Sequence, residues 1–379
     1  MHKVVILQRV ACDYQREFFL QLHARLAARG LALAVTGGRP RAAEARADGL
    51  AELPFGVRCL NLRLAGKPYW QAGALAAARG ADLVVLEQAN AALHNYVLLA
   101  RRRRAPRPRL AFWGHGARLT KAGAQPARDA WKRLWVNRVD WWFAYSERSA
   151  AIVAAAGFPR ERITVVENAI DTAGLRRERA RVGAEDRARL LRELFGADAG
   201  GPLRVAVFCS RLTSLKRIPF LLASAERIHH QLPEFRLIVI GDGPDAPAVA
   251  GFCRTRPWCA RLGSRRGAER VPYLALADVW LNPGAVGLAM VDALGMGLPL
   301  ATTDVPFHGP ELSYLRPGEN GLLTPADEVA YADGVRQLLQ DPARLAALQA
   351  QAEADGSRYT VENMASRFAD GVEHCLAGG

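Results

Sequence analysis

Two cations stand five residues apart in Ser210-Arg211-Leu212-Thr213-Ser214-Leu215-Lys216-Arg217, directly after an apolar run of strand length. Arg211 at a strand end and Lys216 at a helix entry can converge on one anion. Arginine offers a planar fork of donors and lysine a point charge, a pairing suited to a diphosphate. The spacing equally fits two surface cations at a helix start, since short motifs also arise by chance. A second group, Asn282-Pro283-Gly284-Ala285-Val286-Gly287-Leu288, precedes a helical stretch that carries Asp292 and ends near Gly295-Met296-Gly297. Glycines ahead of a helix let backbone amides approach a ligand, and a helix N-terminus favours phosphate. Asp292 lies four residues past Leu288, about 6 Å along the axis at ~1.5 Å per residue. There a carboxylate can accept both hydroxyls of a ribose whose diphosphate sits at the helix start. The plainer alternative is a glycine-bearing turn with Asp292 solvated. His115, set between Gly114 and Gly116 after a strand, is a candidate catalytic group, although a lone histidine is more often structural. No acidic cluster surrounds the glycine loop, so the chemistry requires neither a metal ion nor a cofactor.

These groups need a scaffold that brings strand ends together. Apolar runs of strand length alternate with helical patterns throughout the chain. In the first half, strands are predicted at Val4–Leu7, Ala32–Thr36, Leu83–Glu87, Arg109–Trp113, Trp141–Tyr145 and Ile163–Val166. A helix is predicted over Arg16–Arg29, where Phe18, Phe19, Leu22 and Leu26 recur at helical spacing and Gly30 is a stop. A charged helical connector, Ala173–Phe195, and the break Ala199-Gly200-Gly201-Pro202 lead into a second series. Its strands are Arg204–Cys209, Arg236–Ile240, Cys259–Leu262, Val279–Asn282, Leu300–Thr303 and Gly321–Leu323. Continuous Val/Ile/Leu strands separated by helices imply parallel sheets covered on both faces. The α/β class therefore follows, with two Rossmann-like doubly wound domains, 1–170 and 171–359, and ligands at the strands' carboxyl ends in the cleft between them. A C-terminal helix at about 360–379 is expected to pack back onto the first domain. The basic run Arg101–Arg104 reads as a solvated loop.

Composition narrows the partners. At 379 residues the chain fits two domains that need no disulfide or metal staple. No apolar run approaches the ~18 residues of a membrane span, and the Val4–Leu7 stretch is too short for a signal peptide, so a cytoplasmic protein is expected. The six cysteines form neither a C-x-x-C pair nor a zinc spacing and read as buried thiols. A charge of +14 favours anionic partners: nucleic acid, lipid headgroups or phosphorylated ligands. Nucleic acid is not expected, because no zinc spacing, RNA-binding sheet signature or basic arm is present. Trp131 and Trp135, four apart among Arg128, Lys132, Arg133 and Arg138, fit either an anionic membrane surface or tryptophans packed into the core. Peripheral attachment to the inner face of the plasma membrane follows from the first of these.

Taken together, the motifs resemble the retaining glycosyltransferases of family 4, which have the GT-B fold. The resemblance runs through Arg211 and Lys216, Ile240-Gly241-Asp242-Gly243-Pro244, Arg261-Leu262-Gly263 and Ala277-Asp278-Val279. It continues through Asp292-Ala293, Gly297-x-Pro299, Gly309-Pro310-Glu311 and Glu319-Asn320-Gly321-Leu322, with Gly114-His115-Gly116 and Val166–Asp171 in the first half. It implies that Arg211 and Lys216 neutralise a donor diphosphate and that the Gly287 and Leu288 amides hold it from the other side. It further implies that Asp292 takes the ribose, that backbone near Leu262 and Gly263 takes the base, and that His115 faces the transferred sugar. Gly284 and Glu311 count among the donor-side residues. The implied reaction moves a sugar from a nucleotide diphosphate sugar to a glycan or lipid-linked acceptor, with retention and without metal, in cell-surface polysaccharide or lipopolysaccharide synthesis. The departing diphosphate takes the acceptor's proton in that chemistry, so no general base is named.

The sequence departs from the family at two places. The first of its paired glutamates would fall at Gly284, and the second is replaced by Asp292. The glycine-rich loop after the first strand is missing; Gln8-Arg9-Val10-Ala11-Cys12-Asp13-Tyr14 stands there and is expected to serve the acceptor. A nucleotide-sugar epimerase or hydrolase on the same scaffold, a nucleic-acid-binding protein and a catalytically silent family member are the competing readings.

Overall fold

The computed structural model describes residues 1–41, 47–64, 68–102, 107–116, 134–196 and 203–378. The chain divides into two compact units: one comprises Met1–Arg118, Gly123–Asp171 and Val361–Gly379, and Thr172–Thr360 forms the bulk of the other.

The strands of the first unit are β1 (His2–Leu7), β2 (Leu31–Gly37), β3 (Gly56–Arg58), β4 (Leu60–Arg63), β5 (Tyr69–Ala72), β6 (Leu83–Glu87), β7 (Arg109–Gly114), β8 (Trp141–Ala144) and β9 (Ile163–Val165). Seven of them form a parallel sheet in the order β3-β2-β1-β6-β7-β8-β9. Residues Val4 to Leu7 and Leu83 to Leu86 are buried, as expected for strands covered on both faces. The strand order reverses between β1 and β6, so the ends of these strands frame a switch point. The helix Val361–Ala377 packs on the helix Arg16–Ala28. There Phe368 stacks on Phe143 with ring centroids 3.9 Å apart, and Phe18 and Trp113 meet it edge-on. Arg29 pairs with Asp370 at 2.6 Å and Glu373 at 2.8 Å along the same seam.

In the second unit the strands are β10 (Arg204–Cys209), β11 (Phe235–Ile240), β12 (Cys259–Gly263), β13 (Val279–Leu281), β14 (Leu300–Thr303) and β15 (Gly321–Thr324). They form a parallel sheet in the order β12-β11-β10-β13-β14-β15. Its core gathers Phe208, Leu221, Phe235 and Leu237 with Tyr331 and Leu338. The order reverses between β10 and β13, which places the Arg211 to Lys216 segment and the glycine loop after β13 side by side.

Several sequence expectations need correction. The segments β3, β4 and β5 were not anticipated; β4 and β5 pair as an antiparallel hairpin outside the main sheet. The connector is two helices, Thr172–Ala180 and Ala184–Phe195, interrupted at Gly183. Arg101 and Arg102 are not loop residues but the last turn of the helix Leu93–Arg102, where Arg102 Nε donates to Asp140 at 2.9 Å; 103–106 lie outside the described residues. Trp131 also lies outside them, while Trp135 meets Tyr96 edge-on at 5.1 Å and packs against the first unit's core. Five cysteines are buried and Cys253 is half-buried. The chain also brings two of them together: the Cys253 and Cys259 sulfurs lie 2.7 Å apart.

Candidate functional site

β10 ends at Cys209, and the chain turns through Arg211 into a short 3-10 turn, Ser214–Lys216. Arg217 adopts a left-handed conformation with φ 54° and opens the helix Ile218–Gln231. Its guanidinium donates to Thr303 Oγ1 at 3.1 Å and lies over the Phe220 ring. This anchoring fixes the position of Lys216 just before it.

The glycine loop after β13 is clamped onto this turn. Ala285 N donates to Leu215 O at 2.8 Å, and Lys216 Nζ donates to Ala285 O. A Cβ on Gly284 would stand 2.3 Å from Leu215 O and 2.5 Å from Lys216 C. No side chain fits there, which gives a physical reason for the missing first glutamate. Gly284 therefore packs on the lysine turn instead of offering a group to a ligand. Gly287 and Leu288 are half-buried and lead into the helix Ala289–Gly295. Behind the loop, Val286 N donates to His308 Nδ1 at 3.0 Å, and His308 Nε2 lies 2.7 Å from Thr303 O, the pattern of a neutral ring with its proton on Nε2. Thr303 Oγ1 in turn donates to Pro283 O at 2.6 Å. Sequence reasoning missed His308, although it directly precedes the Gly309-Pro310-Glu311 landmark.

Lys216 and Glu311 face the same place from opposite segments. Burial pushes the Lys216 ammonium down to about 8, and the Glu311 carboxylate works against that shift. Glu311 is 4 % exposed, and its Oε2 comes within 3.8 Å of where a Cβ on Gly287 would stand. The structure thus gathers Lys216, Gly287 and Glu311, whereas Arg211 stands exposed at the carboxyl end of β10.

Asp292 departs from the plainer sequence reading, in which it is solvated. It is neither solvated nor a bare acceptor: it is 8 % exposed, and Arg270 forks onto it, Nη1 to Oδ2 at 2.8 Å and Nη2 to Oδ1. Burial opposes the Arg270 charge, but the Asp292 carboxylate outweighs it and raises the guanidinium. Arg270 also approaches Cys209, whose thiol burial pushes up to about 11. Sequence reasoning missed this arginine because it comes from the separate 3-10 segment Gly267–Arg270, 22 positions away.

Leu262 and Gly263 end β12; Gly263 has φ 68° and its carbonyl accepts from Gly241 N at 2.8 Å. In the first unit, Gly116 has φ 74°, its N donates to Gln88 Oε1 at 2.9 Å, and Gln88 Nε2 returns a bond to Gly116 O at 3.2 Å. This exchange locks the loop carrying His115, whose ring centroid lies 4.5 Å from that of Tyr145. Among the described residues no group of three His, Cys, Asp or Glu could hold a metal ion.

Two parallel, helix-covered sheets of this order are the sheet pattern of the GT-B fold. Two family models match: Glycosyltransferase Family 4 over residues 16–173 and Glycosyl transferases group 1 over residues 204–341. The chain belongs to the family 4 glycosyltransferases. It is 29 % identical over 167 residues to alpha-monoglucosyldiacylglycerol synthase of Acholeplasma laidlawii, covering 42 % of this chain and 40 % of that protein. It is 28 % identical over 238 residues to D-inositol 3-phosphate glycosyltransferase of Rhodococcus opacus, covering 58 % of this chain and 50 % of the relative. The matches thus span half or less of these relatives. HepE of Anabaena, solved with UDP and glucose, shares the fold at a TM-score of 0.71 and 18 % identity, covering 99 % of this chain and 100 % of that one.

Proposed function

We propose that this protein transfers a sugar from a nucleotide diphosphate sugar to a glycan or lipid-linked acceptor, with retention of configuration and without a metal ion. The observation that carries the reading is the clamp of the glycine loop onto the Lys216 turn, which holds an ammonium on the Ala285 carbonyl, two residues before Gly287. Negative charge grows on the departing diphosphate, and a cation already fixed beside it stabilises that charge without reorganisation. Arg211, exposed at the strand end, closes on the diphosphate from the solvent side. The Gly287 and Leu288 amides take the remaining oxygens, and the base lies against Leu262 and Gly263. With Gly284 excluded from sugar contact, Glu311 is the carboxylate that recognises the sugar's hydroxyls. The family resemblance makes His115 the group that meets the transferred sugar. Under retention the diphosphate accepts the acceptor's proton as the new bond forms on the face it leaves. The relatives fit this reading, since one is named for a diacylglycerol glycolipid and another for an inositol phosphate acceptor. A role in cell-surface glycan synthesis at the inner face of the plasma membrane follows from that acceptor class.

The test is a thermal-shift screen of UDP, GDP, ADP and their sugars against the protein and its Lys216→Ala and Arg211→Ala variants. One nucleotide should stabilise the parent and neither variant comparably, because a ligand that binds only the folded state raises its stability. Transfer near the parental rate by either variant removes that residue from the diphosphate site.

A further inference from the structure

A second charged cavity lies wholly within the first unit, away from the glycine loop. It has a volume of about 480 Å³ and is lined by Arg9, Arg39, Arg41, Arg58 and Arg63, with Asn61 among its polar groups. That volume lies within the ~300–1,000 Å³ of small-molecule sites. Among the described residues that line it, none is acidic; Asp48, nearby, pairs with Arg58 at 2.7 Å. The arginines reach the cavity from strand ends: Arg9 follows β1, Arg39 follows β2, and Arg58 and Arg63 end β3 and β4. Ligands of open parallel sheets bind at that edge. Five guanidiniums gathered around one space, even with Arg58 paired to Asp48, give it a positive field that attracts an anion. Planar forks at several angles suit a phosphate better than a single carboxylate.

The hairpin beside the cavity is inside out. On β4, Leu60 is 64 % and Leu62 46 % exposed, and Leu64 just beyond is 54 % exposed. The polar positions point inward instead: Asn61 Nδ2 donates to Arg9 O at 2.7 Å, and Gln71 Nε2 donates to Gln8 O at 2.8 Å. These bonds tie the inner face of the hairpin to the exit of β1 and hold the leucines outward, with Asn61 and Arg63 alternating between them. Exposed apolar side chains rimmed by cations mark an amphiphilic partner, with buried chain and headgroup charge both contributing. A soluble phosphate would need the arginines but not the leucines.

We propose that this cavity and the leucine face of β4 bind a membrane lipid with a net anionic phosphate headgroup as the acceptor, its phosphate among the arginines and its hydrocarbon chain along Leu60 and Leu62. The role as acceptor rests on the glycosyltransferase reading; the binding does not. The test uses the full chain, with phosphatidylcholine vesicles carrying phosphatidic acid, phosphatidylcholine vesicles alone, and glycerol 3-phosphate in solution. The parent protein should sediment with the phosphatidic acid vesicles and not with the neutral ones. Arg39→Ser with Arg41→Ser should weaken that binding at least about tenfold, as loss of charge-assisted hydrogen bonds does. Leu62→Ser with Leu64→Ser, which do not line the cavity, should weaken vesicle binding but leave the cavity's affinity for glycerol 3-phosphate unchanged. Vesicle binding indifferent to both double variants overturns the proposal. So does glycerol 3-phosphate binding as tightly as the vesicle lipid, which would make the partner a soluble phosphate. Nucleotide-induced thermal stabilisation is followed in parallel. Its absence with lipid binding intact removes the donor reading alone, and its presence with variant-insensitive lipid binding removes the lipid site alone.

Discussion

At the residue scale, Lys216 has a pH signature. Its ammonium titrates near 8 in the free protein, below its ordinary value, because burial disfavours the charge. Below that pH it is protonated and can hold a diphosphate; as pH rises through 8 the charge is lost and donor binding weakens. A bound diphosphate favours the charged form, so kcat/KM should fall near pH 8 while kcat persists to higher pH. Lys216→Arg, charged throughout, should lose the basic limb of kcat/KM, and a limb unchanged by that variant would assign it to another group. Gly284→Glu, which restores the family's glutamate on paper, should not restore its contact. Its Cβ meets Leu215 O at 2.3 Å, so we expect a loss of about 1–3 kcal/mol on urea denaturation, together with loss of nucleotide stabilisation. Asp292 calls for a cycle. Arg270→Met should cost about 3–5 kcal/mol by stranding a buried carboxylate. Arg270→Met with Asp292→Leu should recover most of that stability, and nucleotide affinity in the double variant then reports whether the carboxylate also serves the ribose. The cations and the glycine loop were legible because each sits on one short segment. The partners Arg270, His308 and Gln88 were not, because their roles arise only when distant segments meet.

At the element scale, the helix Val361–Ala377 completes the first unit. Phe368 is fully buried between Phe143, Phe18 and Trp113, and a Cβ on Gly371 would stand 2.4 Å from Thr164 Oγ1. Phe368→Ala should therefore cost about 3–5 kcal/mol on chemical denaturation, a typical cost for a buried aromatic. A loss below 1 kcal/mol would mean that the helix is loosely docked. The long strands of both sheets were legible as continuous apolar runs, since a strand buried on both faces can carry little else. The hairpin was not. Its alternation at Leu60, Asn61, Leu62 and Arg63 is regular, but its apolar side faces outward, and a single sequence records the period without the direction. β3 escaped because three residues with an exposed Val57 and Arg58 hold no periodic signal. The tertiary thiol pair escaped for a related reason: Cys253 closes a helix, Cys259 opens β12, and the turn between them brings the sulfurs together.

At the scale of the whole molecule, the chain carries two independently cored units, with its last segment returned to the first of them. The Lys216 clamp belongs to one unit and the arginine cavity to the other, so ligand effects should separate along the sequence. A nucleotide at 100 times its Kd stabilises the state it binds by about 2.7 kcal/mol. Hydrogen exchange should show that stabilisation as slower exchange at 209–217 and 282–292, with the amides around Phe143 and Phe368 unaffected. Phosphatidic acid vesicles should slow exchange at 57–63 and leave the glycine loop as it was. Such a division would follow from the strand orders, because each sheet reverses once and gathers its own ligand groups at that reversal or beside it. Protection by nucleotide at 57–63 instead would place the donor phosphates among the arginines and reverse the roles of the two units.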